Sequence, residues 1–310
     1  MIYLILAILS SVAIAVIMRI GETKVHNEMA MFFCNYAMCA ALSLGYAGNH
    51  ILPDSFEGVP FAIGLGLVTG IFYLLGFVFL RWNILHNGVM LSATFQKLGV
   101  IIPTVMAIVI FKESPGVFQV LGIGFAIAAI LVINLEPAGK KNPVPGEKMP
   151  TKDETASAMD VMPEKIPMAE GDIKSSKLGL IGILLVCGLA DSFSNIYEKM
   201  GVAALKDQYL LITFIMAMCL AFLLAKINGK GFVSVDIVFG IFIGIPNYYS
   251  IRFLLWALTE VPAIVTYPVF SAATILLVTA FSILLFREKL NKRKAIAILC
   301  VMAALIFLNI

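Results

Sequence analysis

The sequence predicts an all-α integral membrane protein of ten transmembrane helices, built as two inverted five-helix repeats. Three observations predict it. Of the 310 residues 61% are hydrophobic and only 13% charged, with a mean hydropathy of +0.98, more apolar surface than one soluble core of this length can cover. Apolar runs of about 20 residues, enough to cross a hydrocarbon core of about 30 Å at about 1.5 Å per residue, recur along the whole chain. Finally, two stretches are written twice. Phe111 to Asn134 overlays Phe286 to Asn309 without a gap, keeping Phe111/Phe286, Glu113/Glu288, Ile123/Ile298, Ala128/Ala303, Ala129/Ala304 and Asn134/Asn309, with Lys112/Arg287 a basic pair. Gly66 to Trp82 likewise overlays Gly240 to Trp256, keeping Gly66/Gly240, Gly70/Gly244, Ile71/Ile245, Phe79/Phe253, Leu80/Leu254 and Trp82/Trp256.

Lipid tolerates no unpaired backbone, and a barrel would show alternating segments of about ten residues, so every span is read as a helix. Helix 1 (2–20) starts at the initiator methionine without a basic leader or a cleavage site, which predicts a retained span and not a signal peptide. Helix 2 (28–47) carries Asn35 and Tyr36, and helix 3 (60–82) carries Tyr73. In helix 4 (87–111), Gln96 and Lys97 fall about ten residues in, about 15 Å from the surface. Helix 5 (116–135) closes the first half.

Residues 136–175 then break the pattern, with Pro137, Pro143, Pro145, Pro150, Pro163 and Pro167 among charged residues, a composition that buries too little to fold alone. This linker separates a first repeat (1–135) from a second (176–310). Because each half has an odd number of helices, the second starts on the opposite side of the membrane, so the repeat is inverted.

Helix 6 (177–200) sets Asp191, Asn195 and Glu198 on one stripe, with Lys199 beside it. A weaker match supports its pairing with helix 1: Ser11, Ala15, Arg19 and Gly21 align with Asp191, Asn195, Lys199 and Gly201 at constant offset. Helix 7 (208–226) is plainly apolar. Helix 8 (233–257) offers Asn247, Tyr248, Tyr249 and Arg252 just after Gly244 and Pro246, with Tyr248 and Arg252 one turn apart on a shared face. Helix 9 (262–286) contains Tyr267 and Pro268, and helix 10 (293–309) ends the chain.

A charge as deep as Lys97 costs at least about 2.5–3.5 kcal/mol on insertion scales, so it faces a polar cavity or a partner. The candidate solute-binding set is Lys97, Gln96, Asp191, Asn195, Asn247, Tyr248, Arg252 and Tyr267. Each has a plainer reading: Lys97 and Asp191 as an ion pair, Arg252 and Glu198 as interfacial groups, and the amides and tyrosines as interhelical hydrogen bonds. Asn35, Tyr36 and Tyr73 share that reading. Glu113 and Glu288, in short turns, read as helix caps.

The five cysteines, Cys34, Cys39, Cys187, Cys219 and Cys300, all fall inside spans without paired spacing, which argues against a disulfide framework. His26, His50 and His86 lie in or near different loops and suggest no metal site. No phosphate loop or Ser/His/Asp set occurs, so nothing in the chain calls for an enzyme or a cofactor. Rim lysines such as Lys292 and Lys294 read as topology signals or lipid contacts, not nucleic-acid readers. Outside the linker, Arg19, Lys24, Arg81, Lys226, Lys230, Arg287, Lys289, Lys292, Arg293 and Lys294 lie on one side and Lys112, Lys199 and Lys206 on the other. The positive-inside rule then places the linker in the cytoplasm and both termini outside.

The duplicated Phe-Lys-Glu (111–113) and Phe-Arg-Glu (286–288) turns, each followed by a final helix of its half, resemble the drug/metabolite transporter superfamily, EamA type. The resemblance covers nearly the whole chain outside the linker. It departs from that family in its longer linker and in a charge bias opposed to termini-inside members. It implies a multi-pass cell-membrane transporter of a small organic metabolite such as an amino acid or sugar derivative, working by alternating access. Lys97, Asp191 and Arg252 sum to +1, which favours a carboxylate or phosphate on that solute. Proton coupling, exchange for a second solute and homodimer formation stay open. The alternative from another class is a non-transporting receptor or assembly subunit on the same fold, which would pair Lys97 with Asp191 and fill the interior.

Overall fold

The computed structural model describes residues 1–21, 24–47, 57–87, 89–134, 177–227, 229, 231–286 and 292–308. They form eleven α-helices: α1 (Ile2–Gly21), α2 (Glu28–Ala47), α3 (Val59–Asn87), α4 (Val89–Leu98), α5 (Ile101–Val109), α6 (Val117–Asn134), α7 (Lys177–Met200), α8 (Lys206–Ile227), α9 (Ser234–Glu260), α10 (Ala263–Phe286) and α11 (Lys292–Leu308). There is no strand among the described residues. Seven helices are long and apolar enough to cross a membrane, with shorter apolar helices over Phe95–Val109 and Val117–Val132. The chain is a multi-pass membrane protein. The linker at 136–175, His50, Arg287 and Glu288 lie outside the described residues.

Each predicted span contains a helix, with three differences. The third helix runs on to Asn87 and the eighth to Glu260. The fourth breaks in two. Pro103 has no N–H for the Gly99 carbonyl and its ring crowds that carbonyl, so the chain turns through tight bonds from Gly99 N to Gln96 O (3.2 Å) and from Val100 N to Lys97 O (3.3 Å) before α5 begins. Gly99 also lies against α7: a Cβ on it would stand 3.0 Å from the Gly188 nitrogen.

Three apolar clusters hold the bundle, one centred on α2, α3, α8 and α9, a second on α1, α4, α5, α9 and α10, and a small third on α6, α10 and α11. The repeated glycines sit where helices of the two halves meet. On α3, Gly66 faces the Tyr209 carbonyl of α8, and a Cβ on Gly70 would come 2.8 Å from the Met216 Cβ. On α9, a Cβ on Gly240 or Gly244 would come 2.5 Å from Met31 O and 2.7 Å from Asn35 O of α2. Both pairs are Gly-x-x-x-Gly, the spacing that lets two helix backbones close on each other. The packing partners correspond in the same way: α1 on α9 and α7 on α3, α2 on α9 and α8 on α3, α2 on α8, and α6 on α11.

Loop contacts sort the helix ends into two sets. In one, Met1 pairs with Glu260, Lys199 with Glu113, and Gly58 meets Val202 and Leu205. In the other, the backbone N–H groups of His26 and Asn27 bond Asp236, and Asn83 Nδ2 bonds Gly179 O. The start of α1 belongs to the first set and the start of α7 to the second.

Glu113 caps a helix, but not the one that follows it. Its carboxylate accepts the N–H groups of Ala263 (3.4 Å) and Ile264 (3.0 Å) at the start of α10, and it pairs with Lys199 at 2.9 Å. The start of α6 is instead closed by Gln119 Oε1 on Gly116 N–H. Glu113 therefore joins the α5–α6 turn to the ends of α7 and α10.

Candidate functional site

A cavity of about 210 Å³ opens between α3, the end of α4, α7 and α10, lined by Phe72, Tyr73, Gly76 and Phe77, by Gln96, Lys97 and Val100, by Cys187, Ala190 and Asp191, and by Phe270 and Ser271. Two helices come from each half of the chain. Lys97 sits in the last turn of α4, at the break, where a cation complements the negative end of the helix dipole. Small residues on α7 let the α4–α5 break approach closely enough to hold Lys97 there: Gly188 leaves no room for a side chain between itself and the Gly99 carbonyl.

Asp191 faces the same cavity from α7. Lys97 and Asp191 lie within each other's electrostatic reach, yet among the described residues no carboxylate stands within the 4.0 Å of an ion pair from Lys97. Both keep part of their surface exposed. One cation and one anion thus line a single cavity without forming an ion pair.

Tyrosines close one end of it. The Tyr267 hydroxyl donates to the Asp191 main-chain carbonyl at 2.7 Å, Tyr73 and Ser194 share a hydroxyl bond of 3.2 Å, and Thr69 and Tyr209 one of 3.1 Å. Tyr209 stacks on Tyr197 with ring centres 4.0 Å apart. Pro268 follows Tyr267 inside α10, where it removes a main-chain donor from the helix ladder.

Of the eight candidate residues, Gln96, Lys97 and Asp191 line the cavity and Tyr267 packs behind Asp191. Asn195 is buried one turn further along α7. Asn247, Tyr248 and Arg252 do not join them. Asn247 donates to Asn35 Oδ1 at 3.1 Å. Arg252 donates to Asp207 Oδ1 at 2.5 Å and to the Tyr248 hydroxyl, while its guanidinium lies 4.1 Å from the Tyr46 ring centre and 4.8 Å from that of Trp256. Its charge is therefore matched by Asp207, and the cavity carries the formal sum of Lys97 and Asp191 alone, which is zero and not +1. Glu198 pairs with Lys206 at 2.6 Å, and both side chains are largely covered.

Phe72, Phe77, Phe270, Ser271 and Cys187 were not singled out in the sequence. Apolar and small residues in a membrane helix look alike whether they face lipid or a cavity. Pro103, by contrast, was a visible signal that helix 4 breaks beside Lys97.

Comparison with known proteins gives three findings. The family model for Small Multidrug Resistance protein, a family related to the drug/metabolite transporters, matches residues 209–302. An uncharacterized protein of Haemophilus influenzae is 24% identical over 97% of this chain and 95% of its own length. A crystal structure of a protein superposes with a TM-score of 0.69 at 12% identity, over 99% of this chain and 94% of that one, which shows a shared fold.

Proposed function

We propose that the chain is a secondary transporter that moves a small organic metabolite across the cell membrane by alternating access, through the cavity between α3, α4, α7 and α10. The observation that carries this reading is the placement of Lys97 and Asp191 on one cavity, from different halves, without an ion pair between them. A receptor or assembly subunit on the same fold has no need of this arrangement and would gain by closing the pair. The similarity of residues 209–302 to small multidrug resistance proteins supports small-molecule transport.

The exchange of helix contacts between the halves supports a two-fold repeat, since replacing α1–α3 by α7–α9 maps the packing of α1 on α9 onto that of α7 on α3, and the starts of α1 and α7 in different sets of helix-end contacts support its inversion, as in the EamA type. In such repeats the halves rock about a site at the midplane. The broken fourth helix presents its carbonyl end there, as discontinuous helices of secondary transporters do.

The chemistry of the walls selects the solute. Lys97 receives a carboxylate or phosphate, Asp191 an ammonium or hydroxyl donor, and Phe72, Phe77 and Phe270 cover apolar atoms. A cavity of about 210 Å³ is smaller than the 300–1,000 Å³ usual for drug-sized ligands, so an amino acid or small sugar derivative fits it better than a drug. The test is uptake and counterflow in proteoliposomes with labelled amino acids, sugar phosphates and carboxylates. Saturable transport of at least one, abolished in Lys97→Ala, is the expected result; no transport of any of them by folded protein overturns the reading.

A further inference from the structure

The polar stripe of α7 has a member that the cavity does not use. Asn195 follows Asp191 by four residues, about 6 Å along the axis, and is wholly buried. Neither its Nδ2 nor its Oδ1 has a hydrogen-bond partner among the described residues. A buried unpaired amide is costly, and an apolar side chain would pack the position at lower cost. Its presence calls for a conformation in which it is paired.

Two hydroxyls bond the turn of α7 between the cavity residue Asp191 and Asn195. Tyr267, from α10, donates to the Asp191 carbonyl, the group that the Asn195 main-chain N–H meets in an α-helix. Tyr73, from α3, bonds Ser194 beside it and itself lines the cavity. These two tyrosines, one from each of two neighbouring helices, hold the turn between Asp191 and Asn195. Both bonds are neutral, made by side chains, and cross between helices that must part if the cavity opens at this end.

We propose that Asn195 is a second station on the transport path, hydrogen-bonding the solute once the Tyr73–Tyr267 clasp releases α7. The inference rests on the transport reading above and extends the path from the Lys97–Asp191 cavity toward the Lys199 end of α7. An amide offers both a donor and an acceptor, which suits a solute carrying both.

Thiol labelling tests it without a known solute. Cys187 lines the cavity, so a variant retaining only that cysteine reports access to the cavity. Asn195→Cys in a background with all five native cysteines replaced reports access to the second station. Both are reacted in lipid nanodiscs with sulfonatoethyl methanethiosulfonate and followed by intact mass. Asn195→Cys should react within about tenfold of the Cys187 rate, and adding Tyr267→Phe should speed it at least about threefold with little change at Cys187. Labelling of Cys187 with Asn195→Cys inert overturns the second station alone. Inertness of both ends the transport reading, and this proposal with it.

If the cysteine variant does not fold, Asn195→Leu in the full chain decides. Removing an unpaired amide should leave the unfolding temperature unchanged or raise it. A fall of about 4 °C or more would show that the amide is paired within the fold and overturn the proposal.

Discussion

Lys97 of α4 and Asp191 of α7 present opposite charges to one cavity and stay apart. A closed pair would saturate both groups and leave little for a ligand. Held apart, each charge lines the cavity, and the position of Lys97 in the last turn of α4 suits a cation there. Charges in this state gain most from a bound solute of complementary charge.

Substituting either member should therefore separate transport from folding. Lys97→Ala and Asp191→Ala are expected to reach the membrane folded, with saturable transport reduced at least about tenfold, because a solute group is left without its counter-charge. The double variant Lys97→Ala/Asp191→Ala should recover neither transport nor stability. If the pair is instead structural, both single variants lose folded protein and the double variant regains part of it. Size-exclusion yield together with proteoliposome uptake, measured for all three, tells the two apart.

The paired glycines make a steric prediction. Gly70→Val or Gly244→Val drives a side chain into the facing backbone of α8 or α2 and should cost about 1–3 kcal/mol or abolish folding. Gly64 lies in the same helix as Gly70 with nothing within 4 Å of a Cβ built on it. Gly64→Ala should thus be neutral or stabilising by up to about 1 kcal/mol. Thermal unfolding of the purified variants checks the contrast, and equal effects at Gly64 and Gly70 would refute it.

Glu113 ties the turn after α5 to Lys199 and to the start of α10. Glu113→Ala removes the cap and the ion pair together and should destabilise by about 1–3 kcal/mol, whereas Glu113→Gln keeps an acceptor for the two N–H groups and should lose about half of that. Unfolding temperatures at low and high salt read both parts: the partly exposed Lys199 pair is screened more strongly than the cap.

The ten spans could be read because apolar length at about 1.5 Å per residue is a one-dimensional property, and the glycine pairs could be read as a repeat, though not as close helix contacts. The depth of Lys97 pointed to the cavity for the same one-dimensional reason. The pairing of Arg252 is not legible in the sequence because its partner, Asp207, belongs to another helix 45 residues away and sits just before the predicted start of that span. Only packing reveals that the two meet. Whether Phe72 or Ser271 faces lipid or cavity is likewise a property of the bundle and not of any one helix.

The labelling of loops tests the topology. Ser114 and Lys24 are both exposed and lie at opposite ends of the bundle, Ser114 beside the Glu113–Lys199 pair and Lys24 beside the Asp236 contacts. If the basic bias directs insertion, Ser114→Cys should react with an impermeant maleimide added to intact cells and Lys24→Cys only after lysis. The reverse pattern would place the termini and the Glu113 turn in the cytoplasm.

Arg252 offers the sharpest separation of packing from transport. Its guanidinium is held by Asp207 and Tyr248 and covered by Tyr46 and Trp256, away from the cavity walls. A planar cation can stack on Tyr46 while bonding Asp207, and an ammonium cannot do both. Arg252→Lys should therefore recover less than half of the stability lost in Arg252→Ala, which is expected to be about 2 kcal/mol for a pair that is only partly buried. Removing the arginine leaves Asp207 uncompensated, so Arg252→Ala/Asp207→Ala should be more stable than Arg252→Ala alone. Through all of this the transport KM should stay within about threefold of the parent, because no solute contact has been removed. A KM raised tenfold or more in folded Arg252→Lys would instead put Arg252 on the solute and extend the site to the Tyr46 end of the bundle.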